Sequence, residues 1–93
     1  MNFSQEYSQS VQPSQTAAEK EEERRKIRRL QLMVDMLLSV LSQDPHLSLA
    51  EASEMVNNCK NAALAMFPDK ELAFDLIYKP RFQRVLNERF RLQ

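Results

Sequence analysis

The chain has no glycine and no tryptophan, and only one cysteine and one histidine among its 93 residues. Each shortage removes a class of protein. Without glycine there is no ready left-handed backbone for tight hairpins or for loops that wrap a phosphate. That argues against a β-rich fold and against every Gly-dependent nucleotide motif. A single cysteine excludes an intrachain disulfide and suits a reducing compartment. His46 and Cys59 are the only nitrogen and sulfur ligands, and a structural zinc site usually needs more. Cys59 falls on the apolar stripe of a predicted helix, where a thiol packs as a small hydrophobe. Glu51 and Glu54 lie a helical turn apart with no histidine at ligand spacing. With no nucleophile–base pair either, the residues predict no catalysis, no metal, no cofactor and no small-molecule substrate.

An excess of charge of one sign is missing too. Thirteen basic residues balance thirteen acidic ones, so no overall field draws the chain to nucleic acid or anionic lipid. The charges are sorted into blocks instead. Residues 1–23 hold five Glu and one Lys, and residues 24–29 hold five basic groups. Residues 30–78 hold seven acids and two Lys, and residues 79–93 hold five basic groups and Glu88. Such blocks can meet each other as readily as a foreign ligand. The start of the chain has no basic stretch leading into an apolar one, the pattern of a secretion signal. A cytoplasmic protein is therefore expected.

Helix signals, by contrast, are abundant. Residues 1–15 are Ser- and Gln-rich without apolar period, which predicts a disordered tail. Residues 16–93 then read as a single domain. Thr16 and Glu19 have the spacing of a capping box, and Pro45 discourages helix at Asp44, which predicts helix A over 16–43. Ser48 and Glu51 form a second box, with Leu47 and Ala52 placed as a hydrophobic staple, opening helix B over 48–67. Asp69 is the expected N-cap of helix C, 69–78, and Pro80 suits the first turn of helix D, 80–91. The fold class is all-α, a small bundle of four helices with one long and three shorter.

The long helix raises the functional question. Its apolar run from Leu30 to Leu41 is about 18 Å long, too short for a hydrocarbon core of about 30 Å. Asp35 interrupts it, and no broad Lys/Arg face accompanies it, so no membrane association is expected. Gln31, Asp35, Ser39 and Ser42 form one narrow polar stripe, and apolar side chains cover roughly two-thirds of the circumference. Ile27, Leu30, Val34, Leu37 and Leu41 follow an a/d heptad, the seam of a helix pair. Three short helices look insufficient to cover so wide an arc, so a second copy or a helical protein partner is expected on that seam. Met33, Met36, Met55 and Met66 serve either as core filler or as the lining of an adaptable groove.

A second function class rests on the arginines. Arg24, Arg25 and Arg28 belong to a basic block that either pairs back to Glu21 and Glu22 or neutralises phosphates. Arg81, Arg84, Asn87 and Arg91 share the polar side of helix D, and these residue types read base edges. A nucleic-acid-binding regulator is thus the alternative, weakened by Glu88 among the arginines. Arg89 lies on D's apolar side. Fraying, snorkelling, or an ion pair with Asp75 or Asp35 would each account for it.

Overall fold

The computed structural model describes residues 16–91. They form four helices: α1 (Ala17–Gln43), α2 (Leu49–Met66), α3 (Glu71–Ile77) and α4 (Lys79–Phe90), with no strand among the described residues. The chain is a small all-α bundle. The stretch read as a tail lies outside the described residues.

Local chemistry accounts for most of the boundaries. At the start of α1, Thr16 Oγ1 accepts from the Glu19 N–H at 3.1 Å while the Thr16 N–H donates to Glu19 Oε1 at 3.2 Å. The same reciprocal pair opens α2: Glu51 N–H to Ser48 Oγ at 3.1 Å, and Ser48 N–H to Glu51 Oε1 at 3.0 Å. Each box satisfies two backbone donors that a helix start otherwise leaves orphaned. Asp44 closes α1 in an extended conformation, as the residue before a proline should.

The start of α3 differs from expectation. Asp69 is not its cap; Lys70 holds that position and makes no side-chain capping bond. The reason is the turn before it. Pro68 and Asp69 form the middle of a turn closed by the Lys70 N–H on Phe67 O at 3.1 Å, which draws Asp69 away from the helix start. α3 runs into α4 almost without interruption, since Tyr78 has helical dihedrals and ends one while opening the other. Pro80 occupies the first turn of α4, where its missing N–H costs nothing.

The core lies where α1 meets α2 and α4. Val34, Leu41 and Phe82 are the largest side chains fully removed from solvent, joined by Leu30, Leu37, Ala52, Cys59, Ala63, Phe74 and Leu86. The small residues on α2 let its axis come close to α1. Phe74 brings α3 into the cluster, its ring 5.5 Å from Tyr78 and 6.3 Å from Phe82. α3 packs on α2 and α4 but not on α1.

This arrangement corrects one expectation directly. Leu30, Val34, Leu37 and Leu41, read as a seam for a partner, are buried in the chain's own core. The heptad is a helix-pairing seam, and α2 and α4 occupy it. Of the five seam residues only Ile27 remains exposed, at 44%.

Candidate interaction surface

With the a/d face filled, three further apolar side chains of α1 stay largely or partly exposed. Leu32 is 59% exposed, Met36 61% and Val40 37%. Their four-residue spacing stacks them in one row along the helix. At 100° per residue this row lies about 130° from the centre of the buried face, opposite neither α2 nor α4. Lone exposed apolar residues are ordinary on a protein surface, whereas these three are neighbours on one helix face.

The row borders a shallow apolar groove between α1 and α2. Met33, Met36, Val40, Met55 and Ala62 line it, with Cys59 at its floor, and its volume is about 470 Å³. Met33, Met55 and Met66 are half-buried against the core. Met33, Met55 and Met66 therefore serve as core filler, and Met33, Met36 and Met55 also line the groove. Burial raises the Cys59 thiol above its ordinary range, so the floor of the groove is an un-ionised, packing cysteine.

A second apolar region lies at the other end. Because α3 stands off α1, a hollow of about 290 Å³ remains, bordered by Ile27, Leu64, Ala73, Phe74 and Ile77. Leu72 and Leu76 project beyond it, 71% and 68% exposed.

The charged side chains divide between holding the fold and facing solvent. Lys60 of α2 reaches two carboxylates one turn apart on α3, Asp75 Oδ1 and Glu71 Oε2, each at 3.0 Å. The Asp75 hydrogen bond first, then Glu71, holds its ammonium pKa above the usual lysine value. Arg89 pairs with neither Asp75 nor Asp35. Its Nη1 donates to the Leu41 carbonyl at 2.9 Å and its Nη2 donates to the Asp44 carbonyl. The guanidinium thus satisfies the open carbonyl end of α1, where a positive charge also opposes the helix dipole.

The arginines of the alternative reading lie on the surface. Arg24 pairs with Glu21 at 2.9 Å, and Arg25 reaches the same carboxylate at 3.8 Å. Arg28 is exposed, as are Arg81, Arg84, Asn87 and Arg91. Arg81 approaches Asp35 at 3.8 Å, which brings α4 alongside the polar stripe of α1. Arg24 and Arg28 lie earlier on that stripe, about 16 Å and 10 Å from Asp35 along the axis. Among the described residues Glu88 makes no ion pair with Arg84 or Arg91, and Asn87 accepts instead from Gln83 at 3.4 Å.

No group of His, Cys, Asp and Glu among the described residues is arranged to hold a metal ion. His46 lies exposed in the α1–α2 turn, its N–H on Asp44 Oδ1 at 2.9 Å. No described helix is long and apolar enough to cross a membrane.

The fold and this surface define a small helical bundle with an unpartnered apolar row. No family model, curated protein or solved structure matches the chain.

Proposed function

We propose that this protein is a non-catalytic helical interaction module that associates with a second copy of itself through the outer face of α1. The observation that carries the reading is the row Leu32, Met36 and Val40, exposed beside a Met-lined groove while Leu30, Val34, Leu37 and Leu41 of the same helix are buried. Covering such a row removes apolar surface from water at about 25 cal/mol per Å². A bundle this small has little core to spare, so association would also supply stability. Sedimentation over a micromolar concentration series tests it. The wild-type chain should move from monomer towards dimer as concentration rises. Met36→Glu should stay monomeric with unchanged helical circular dichroism. A wild-type monomer throughout the series would remove the proposal.

One observation favours a second reading. The Arg81–Asp35 contact aligns the basic side of α4 with Arg24 and Arg28, a layout compatible with phosphate contacts on nucleic acid. Fluorescence anisotropy with a labelled random duplex at low salt decides it, and no binding at about 10 μM ends that reading.

A further inference from the structure

We infer that the second copy docks antiparallel to the first, with Met36 on the two-fold axis. This rests on the self-association reading above and goes further, since it fixes direction and register. The apolar row is symmetric about its middle. Leu32 stands four residues before Met36 and Val40 four after. An antiparallel copy therefore lays each Leu32 against the other's Val40, a closed isologous contact. Met36 of each chain, more than half exposed at the mouth of the Met33–Met55 groove, meets its equivalent at the centre. An unbranched thioether adapts to that like-with-like contact.

Charge selects the direction. Seven residues before Met36 stands Arg29, about 10 Å from the axis, and Arg25 continues the same line. Seven and eight residues after it stand Gln43 and Asp44, at the end of α1, where Arg89 serves the carbonyls and the Asp44 carboxylate supplies the negative charge. Antiparallel docking places Arg29 of each copy beside the Asp44 carboxylate of the other. Parallel docking would stack Arg25 on Arg25 and Arg29 on Arg29, like charges facing each other. The apolar row tolerates either direction, and the charges favour the antiparallel one.

Disulfide trapping in the full chain carrying Cys59→Ala tests register separately from association. Met36→Cys should cross-link with itself, and a mixture of Leu32→Cys and Val40→Cys should cross-link with each other. Leu32→Cys alone should form few links, because its two copies stand about 12 Å apart along the axis. Arg29→Glu should weaken the dimer about threefold to tenfold at low salt, and the loss should shrink as salt rises. Dimers in which Leu32→Cys and Val40→Cys each link to themselves as fast as Met36→Cys would overturn the antiparallel register alone. Dimers that none of the three cysteines can trap, as docking through Leu72 and Leu76 would produce, would overturn the α1 face and the register together. A wild-type monomer by sedimentation would overturn the association and the register together.

Discussion

Arg89 acts where a glycine-ended helix would use its own backbone. α1 stops at Asp44 before Pro45 without the left-handed turn that usually returns N–H groups to the last carbonyls. A side chain 45 residues away supplies the donors instead. Arg89→Ala should destabilise the fold by about 1.5–3 kcal/mol, since it strips a charged donor from half-buried carbonyls. Arg89→Lys should recover only part of this, because an ammonium lacks the planar fork that reaches two oxygens together. Chemical denaturation of the three chains checks both. The Ser48–Glu51 box gives a pH-dependent counterpart. The Ser48 backbone N–H, then its hydroxyl, holds the Glu51 carboxyl below its ordinary value. A lowered folded pKa means that the charge contributes stability above the unfolded value of about 4.3 and loses it as pH falls through the folded one. The melting-temperature gap between wild type and Glu51→Gln should therefore be present near neutral pH and vanish at the acid end.

Among the elements, α3 is the shortest and is held by few side chains. It is seven residues long, uncapped, and does not pack on α1. Phe74 anchors one side, and Lys60 grips the other through Asp75 and Glu71. Helices this short do not hold themselves together in water. Lys60→Met should leave α1 and α2 intact while speeding amide hydrogen exchange across residues 71–77, with little change in global unfolding. The raised Lys60 pKa sets the sign of the pH effect. Its contribution is fully present below the unfolded value of about 10.4 and is lost as pH rises through the folded value. Protection of α3 should accordingly fall before that of α2 in strongly alkaline buffer.

Over the whole molecule, the two faces of α1 should respond in opposite ways to substitution. Phe82 closes the core against α1 and is almost wholly buried, so Phe82→Ala should cost about 3–5 kcal/mol and threaten folding outright. Leu32→Ala removes a side chain that is mostly in water already, so it should leave the stability of the isolated chain within about 0.5 kcal/mol. Any larger loss should grow with protein concentration, because a dimer's stability depends on mass action. Thermal melts at two concentrations separate these outcomes.

The all-α class, both capping boxes, the stop at Pro45 and the Pro80 start were legible residue by residue, because each depends on neighbours within a turn or two. The width of the apolar arc on α1 was legible as well, and with it the surplus of apolar surface. Which part of that arc stayed exposed was not. The heptad Ile27, Leu30, Val34, Leu37 and Leu41 marks a seam, but period alone cannot say whether the occupant is a helix of the same chain or of another. Small residues at Ala52, Cys59 and Ala63 let α2 settle there, and Leu32, Met36 and Val40 were left outside. Arg89 shows the same limit: an odd charge could be noticed in the sequence, yet its partners are backbone carbonyls that only the docking of α4 brings within reach. Short-range chemistry was determined by the order of residues. The choice among apolar faces was decided by packing, because many side chains compete for each other at once and no local pattern records which of them wins.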